Sequence, residues 1–517
     1  MTRSNLLAQL EKVNEWDVLV IGGGSTGLGI ALEAASRNYK TLLLEQSDFA
    51  KSTSSKSTKL IHGGVRYLAQ GHFGLVREAS IERAFLLKNA PHLVHNQTFI
   101  IPIFNSWDAL KYTIGLKMYD WIAGRLSLGS AKFLSKKKID KDLPNVAKSQ
   151  LIGGVIYHDG QFDDARLAIN LAQTVIDQGG VAINYVRVNS LLKSKDGFTN
   201  GAEVVDVESQ RTFKILSKSV VNATGVFADD ILKMDNAQAE KTIQVSQGTH
   251  IVLDRKFFPS ENALMIPKTP DGRVLFLIPW YDKVVVGTTD TPVPTASLEP
   301  TALKEEINFI LQTSSGYLEE KPTEKDVQSV FAGLRPLAAQ KGTKVQTKEI
   351  SRNYKIVVSP SSLFTIVGGK WTTYRRMGEV MINRIERELK WEKRKAITAS
   401  LRIHGWNENI SADNPLSFYG SDLSAIDEKI QLDESGWISK TLMIHRAQVE
   451  WAVRNEMART VEDVLARRIR ALLLDAAESV RLAPAVAEIM AKCLGEDERW
   501  AEQQVKEYTS LAKNYIL

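Results

Sequence analysis

Gly22, Gly24 and Gly27 stand in the order G-x-G-x-x-G directly after the apolar run Val18 to Ile21. In that order one glycine permits a tight turn, one lets backbone approach a pyrophosphate, and one allows a helix to pack closely on the strand before it. The run Ile30 to Asn38 reads as that helix, so its N-terminal amides, with Ser25 and Thr26 at the turn, face phosphate charge. A second strand, Thr41 to Leu44, ends in Glu45 and Gln46, at about the 20-residue offset where a carboxylate accepts hydrogen bonds from a ribose. The same turn also spells Gly23-x-Ser25-x-Gly27, the pattern of a hydrolase nucleophile elbow. An elbow normally follows several strands, one of which supplies an oxyanion donor. Here only about twenty residues precede the turn, and Glu45 would be left without a role. A dinucleotide is the better occupant.

Three other segments carry chemistry. Ser52 to Leu68, with Ser54, Ser55, Lys59, Leu60, His62, Gly63 and Gly64, is too rich in hydroxyls and glycine for a buried helix alone and looks like a loop lining a cofactor. The strand Val220 to Ala223 ends in Thr224-Gly225, a turn that backbone can bring close to a ligand. Gly368-Gly369 follows the strand Phe364 to Val367 and precedes a helix expected near Thr372, which offers a second set of N-terminal amides. Two such turns favour one large cofactor. Val181 to Val188 reads as a strand returning to the sheet, with Arg187 and Val188 near the adenine. His250 falls in a Gln-Gly-Thr-His turn before the strand Ile251 to Leu253, and a neutral imidazole suits general-base work. Metal catalysis has little support, because the eight histidines are dispersed and the pair His92 and His95 reads as loop histidines without an acidic partner.

The hydroxyl-rich loop ends in Leu60-Ile61-His62-Gly63-Gly64-Val65-Arg66-Tyr67-Leu68, and with the glycine turn it resembles the FAD-dependent glycerol-3-phosphate dehydrogenases. The resemblance continues in family order through Asp163 to Leu167, Val221 to Val226, Ser246 to His250, Val286 to Asp290, Ala332 to Pro336 and Gly368 to Arg375. Glu450-Trp451, Val464-Leu465, Arg467-Arg468 and Leu473-Leu474-Asp475 are similar to the family's C-terminal helical domain. The resemblance implies FAD as cofactor, contacted by the loop residues named above and by Ala223, Thr224, Gly225, Gly333, Leu334, Gly369, Lys370, Trp371 and Thr372. It implies sn-glycerol 3-phosphate as substrate, oxidised to dihydroxyacetone phosphate by hydride transfer from C2 to flavin N5. Arg66, Arg335 and Arg352 would then hold the phosphate, since a guanidinium suits bidentate recognition of phosphate. His250 or Lys370 would serve as base, with Lys370 able instead to hold the developing alkoxide. Electrons would pass to the membrane quinone pool. The alternatives are a glycerol-3-phosphate oxidase using O2, or a related FAD-dependent 2-hydroxy acid or amine oxidoreductase. No long inserted segment of the kind family oxidases carry is evident, which favours the dehydrogenase.

The elements that must position these residues exceed one core, since 517 residues is the length of two or three domains. With 44% hydrophobic and 24% charged residues, a disordered chain is excluded. The expected fold class is α/β: an FAD-binding Rossmann-type domain, a mixed α+β substrate domain and a C-terminal helical domain. Segments 1–90, 161–239 and 346–390 are assigned to the first, 91–160 and 240–345 to the second, and 391–517 to the third. The lone cysteine, Cys493, suits a reducing compartment and excludes a Cys-ligated iron–sulfur centre within the chain. Met1 to Glu15 lacks the apolar stretch of a secretory signal, and no run approaches the roughly 18 apolar residues of a membrane span. The expected location is therefore cytoplasmic, with peripheral contact at the cytoplasmic face of the inner membrane as the resemblance implies; a homodimer is compatible. Trp107, Leu110, Ile114, Met118, Trp121 and Ile122 recur at helical spacing, followed by Lys132, Lys136, Lys137 and Lys138. This pattern fits an interfacial helix with a basic flank and fits a core-packing helix equally well. The net charge of +6 is spread along the chain without an aromatic-interleaved basic stripe, so no nucleic-acid partner is expected.

Overall fold

The computed structural model describes residues 2–64, 68, 71–269, 272–339, 354–409 and 414–517. Arg66 and Arg352, expected to hold the substrate phosphate, lie outside them. The first sheet runs in the order Lys355–Val358, Leu363–Val367, Thr212–Asn222, Trp16–Ile21, Thr41–Leu44, Val181–Ile183. All neighbours are parallel except the first pair. Its central strands are apolar almost throughout, because helices cover both faces and no side chain of Val18, Leu19 or Val20 reaches water. Thr212–Asn222 shows the change within one strand. It starts by alternating exposed and buried residues as an antiparallel ribbon on Thr199–Asp206, and its last four residues, Ser219 to Asn222, are all buried beside Trp16–Ile21. The helix Ser25–Ser36 crosses Tyr374–Glu388 through Gly29 and Gly378. A Cβ at Gly378 would stand 2.4 Å from the Gly29 carbonyl oxygen, so these glycines set the helix spacing.

The second sheet runs Thr291–Pro292, Ile243–Asp254, Lys283–Gly287, Leu275–Trp280, Ala263–Ile266, Val94–Ile103, Gly153–Phe162, Leu60–Ile61. Val327–Ala338 pairs with Ile243–Asp254 along most of its length. Leu60–Ile61 thus leaves the glycine-turn segment and pairs with Gly153–Phe162, so the hydroxyl-rich loop is strung between the two sheets. Helices Arg446–Asn455, Ala476–Leu494 and Glu498–Ala512 form a third body whose core includes Val252, Val285 and Phe331 of the second sheet.

Several local expectations change. Val181 to Val188 is two strands, broken at Asn184 and Tyr185, the latter at φ 57°. The helix expected near Thr372 begins as a 3-10 turn at Trp371 and becomes α-helical at Tyr374. Of the two expected loop histidines, His92 sits in the turn before Val94–Ile103, whereas His95 lies within that strand. His92 is buried with Nε2 3.2 Å from Asn170, and His95 is 2.8 Å from Gln161. His250 lies inside the strand Ile243–Asp254, paired on both sides, rather than in a turn. Gly248, which gave the segment its turn-like reading, is needed for a different reason: a Cβ there would come within 2.2 Å of the Arg335 guanidinium.

His404 joins the C-terminal segment to the first domain. Its Nδ1 is 2.8 Å from Asp177 and its Nε2 3.2 Å from Asp422. Burial opposes the charge, but the two carboxylates outweigh it and push the pKa up to about 9. Below the ordinary value of 6.5 both folded and unfolded chains are protonated and the stabilisation is complete. Between 6.5 and about 9 the unfolded chain releases a proton that the folded chain keeps, so the stabilisation declines as pH rises. With Asp177 half exposed and its field screened, the contribution is about 1–2 kcal/mol. We expect His404→Gln to lower the melting temperature at pH 6 and to leave it unchanged at pH 10. An equal deficit at both pH values would contradict this.

Candidate active site

Two cavities meet between the sheets. The larger, of about 450 Å³, is lined by Gly22, Gly24, Ser25 and Thr26, by Glu45 and Gln46, by Val186 to Val188, by Ala223 to Gly225 and by Gly368 to Trp371. The smaller, of about 190 Å³, is lined by Thr58, Leu60, His62, Gly248, His250, Gly333, Leu334, Arg335 and Gly368 to Thr372. Gly368, Gly369, Lys370 and Trp371 belong to both walls, so a ligand extending along the first reaches the second at this turn.

The larger cleft suits a long, doubly charged cofactor. Gly22 has φ 110°, and a Cβ at Gly27 would lie 1.9 Å from the Gly22 carbonyl oxygen, so helix and turn meet with no room for a side chain. The helix Ser25–Ser36 has no side-chain cap and no acidic residue in its first turn, which leaves its positive end turned toward the cavity. Glu45 accepts hydrogen bonds from Gly23 N (2.6 Å) and Ser47 N (2.9 Å), fixing the turn at the point where a ribose would sit. Burial pushes the Glu45 pKa up despite these bonds. The residues present fit FAD.

In the smaller cavity, Arg335 Nη1 donates to Gln247 O (3.2 Å) and Nη2 to Thr289 O (2.9 Å) and Thr288 Oγ1 (3.1 Å), with Asp290 Oδ1 3.4 Å from Nη1. The guanidinium is thus held in one orientation at the cavity wall. His250 stacks on Phe331 with ring centroids 4.8 Å apart, and Gly287 opposite it is where a Cβ would lie 2.3 Å from the imidazole. Burial, followed by the charges of Arg335 and Lys59, holds the His250 pKa well below its ordinary value. The imidazole is neutral at pH 7.

Not every loop residue reaches the cavities. Lys59 is a correction: its ammonium is fully buried on Asp164 (2.7 and 2.8 Å) and the Ser55 carbonyl (2.7 Å), and it does not line either wall. A buried charge requires a partner, and Asp164, the first residue of the helix Asp164–Asp177, supplies it. Ser55, Gly63 and Gly64 also lie outside both walls. Gly63 instead packs where a Cβ would meet the Tyr119 hydroxyl at 2.1 Å, and its amide donates to Asp159 (3.3 Å). Sequence reasoning missed Thr58, whose hydroxyl meets His250, and missed Phe227, Ile231 and Leu298 in the larger cavity. It also left the C-terminal body without a role. Arg467 and Arg468 both bond the buried Asp48, Glu462 bonds Lys51 (2.5 Å), and Tyr515 Oη donates to Glu299 (2.8 Å), which in turn holds Lys56 (2.7 Å). The C-terminal helices therefore clamp the cofactor loop Asp48 to Lys56.

Residues 17–375 match the family described as FAD dependent oxidoreductase, and residues 364–504 match the C-terminal domain of alpha-glycerophosphate oxidase. The chain is 35% identical to mitochondrial glycerol-3-phosphate dehydrogenase of Homo sapiens, covering 100% of this chain and 75% of that protein. It belongs to the FAD-dependent glycerol-3-phosphate dehydrogenase family. The corresponding protein of Schizosaccharomyces pombe is 34% identical, with 100% and 89% of the two chains covered. The X-ray structure of glycerol-3-phosphate dehydrogenase from Bacillus halodurans complexed with FAD superposes with a TM-score of 0.81 at 28% identity, covering 100% of this chain and 98% of that one. As a family member the protein is a flavoprotein oxidoreductase, and FAD is its cofactor. The α/β fold with a helical C-terminal domain is that of the family.

Proposed function

We propose that the protein oxidises sn-glycerol 3-phosphate to dihydroxyacetone phosphate and delivers the electrons to a membrane quinone. The observation that carries this reading is the small cavity at the Gly368–Trp371 turn, which gathers Arg335, Lys370, His62 and His250 in about 190 Å³. That volume suits a small anionic alcohol. Bound FAD supplies the hydride acceptor at N5. The chain's residues supply the rest: Arg335 and Lys370 attract and orient the phosphate ester, and neutral His250 takes the hydroxyl proton. Among the described residues Gly22, Gly24, Ser25, Thr26, Glu45, Gln46, Val188 and Ala223 to Gly225 hold the adenosine and pyrophosphate part. Gly333, Leu334 and Gly369 to Thr372 hold the flavin end.

Anaerobic flavin bleaching by a panel of polyol phosphates and hydroxy acids tests the substrate; glycerol 3-phosphate is expected to bleach fastest. Peroxide yield against reduction of a quinone analogue separates dehydrogenase from oxidase. Arg335→Gln should lower kcat/KM for glycerol 3-phosphate by about 100- to 1000-fold, the value of two charge-assisted hydrogen bonds, and change glycerol oxidation far less. Equal losses on both substrates would remove Arg335 from phosphate recognition.

No helix among the described residues is long and apolar enough to cross a membrane. The helix Ser106–Ala123 offers a surface contact instead. It buries Leu116, Tyr119 and Ala123 and exposes Leu110, Ile114 and Met118, with Trp107 and Trp121 73% and 83% exposed. A core-packing helix would not leave two tryptophans in water, and Phe133, Lys132 and Lys136 to Lys138 are exposed nearby in the chain. Replacing both Trp107 and Trp121 by serine should weaken sedimentation with anionic vesicles by about tenfold. Unchanged binding would reject this helix as the contact.

A further inference from the structure

The Thr58 hydroxyl lies 2.9 Å from His250 Nε2, and both side chains line the small cavity. The other ring nitrogen, Nδ1, is buried and has no hydrogen-bond partner among the described residues. The two nitrogens are therefore unequal. An imidazole nitrogen has a single in-plane bonding direction, and at Nε2 the Thr58 oxygen occupies it. A substrate alcohol in the cavity reaches that nitrogen only by displacing Thr58 or by way of its oxygen. The backbone is pinned on both sides of Thr58, so only rotation of the Thr58 side chain itself could clear that nitrogen. Ser57 N and Oγ donate to Asp164 Oδ2 (3.1 and 2.7 Å), and Lys59 is buried on the same carboxylate. Lys59 also sits at φ 62°, a backbone conformation that a shifted loop would have to leave.

We propose that Thr58 is a catalytic residue that relays the substrate's hydroxyl proton to His250. A threonine hydroxyl has one proton to give and lone pairs to accept another. In the relay the substrate O–H bond breaks as a new Thr58 O–H bond forms, and the original Thr58 proton moves to His250 Nε2. The C2–H electron pair leaves as hydride to the flavin, so the alcohol becomes a ketone and the released proton rests on the imidazole. The relay requires Nε2 to be the acceptor and Nδ1 to carry the hydrogen in the resting protein. The burial of His250 and the nearby charges of Arg335 and Lys59 keep the imidazole neutral, so one ring nitrogen retains a lone pair, which the relay assigns to Nε2.

The proposal rests on the oxidation of an alcohol by the reading above and is tested on the holoenzyme. Thr58→Val should slow anaerobic flavin bleaching by about 100-fold, within the range of general-base contributions, while Thr58→Ser stays within about fivefold of the parent. FAD occupancy and reduction by dithionite should be unchanged in both. The parent's solvent-isotope proton inventory should be curved, as two protons in flight require. Independent of turnover, 15N spectra of histidine-labelled holoenzyme, with His250 assigned by His250→Asn, should show an unprotonated Nε2. A Thr58→Val protein that bleaches at the parental rate, a linear inventory in the parent, or a protonated resting Nε2 would each overturn the relay. If a different alcohol bleaches the parent flavin and glycerol 3-phosphate does not, the substrate reading fails and the relay is judged with that alcohol.

Discussion

Gly27→Val should purify without yellow colour. Its Cβ would stand 1.9 Å from the Gly22 carbonyl oxygen and 3.5 Å from the Ala223 side chain, so backbone must move rather than a flexible side chain. That movement separates the helix Ser25–Ser36 from the turn and breaks the wall formed by Gly22, Gly24 and Ser25. A forced shift of packed backbone costs more than about 3 kcal/mol, equivalent to about 100-fold in cofactor affinity. Gly74→Ala is the control, since among the described residues nothing outside its own helix lies within 4 Å of its Cβ position; it should remain yellow. Flavin content per chain, read from the visible absorbance after purification, decides the matter. Full occupancy in Gly27→Val would show that the helix does not need this close approach.

The second large effect is expected at Arg166. Its Nη1 and Nη2 donate to Glu456 at 2.8 and 2.7 Å, both side chains are wholly buried, and the guanidinium lies 4.8 Å from the Tyr419 ring centre. Arg166 belongs to the helix Asp164–Asp177 beside the first sheet, and Glu456 ends the C-terminal helix Arg446–Asn455. The Glu456 carbonyl also accepts from Arg468, which holds Asp48 of the cofactor loop. Arg166→Ala leaves a buried carboxylate uncompensated and should cost about 3–5 kcal/mol. Replacing both residues by methionine removes the unpaired charge, so the double variant should melt above the single one. Thermal unfolding followed by the flavin's own fluorescence reads the fold and the loop together. A double variant no more stable than Arg166→Ala would show that packing, not charge, is what the pair contributes.

Much of the candidate cofactor cleft is legible in the sequence, and the reason is physical. The glycine turn, the helix after it and Glu45 lie within about 30 residues, and a tight turn or close helix contact is a property of neighbours in the chain. His250 was found by type and misplaced by context. Gly248 reads as turn punctuation, yet it is strand backbone kept bare so that Arg335 can cross it. Lys59 was taken for a cofactor contact because its segment lines one. Its partner Asp164 lies 105 positions away, and nothing local announces that pairing. Thr58 was passed over for the same reason, being 192 positions from His250. On the helix Ser106–Ala123 periodicity established an apolar stripe but not its direction. Packing settled that: Leu116 and Tyr119 face inward, and Trp107 and Trp121 face water.

Residue types and spacing in the chain were sufficient for the cofactor turn, the fold class and the family, because backbone conformation and periodicity are written over short stretches. Tertiary structure alone decided which cations face the small cavity and which are consumed by buried carboxylates, and it alone paired Thr58 with His250. Charges and hydroxyls take their roles from whatever they meet in a low-dielectric interior. Those meetings join residues a hundred or more positions apart.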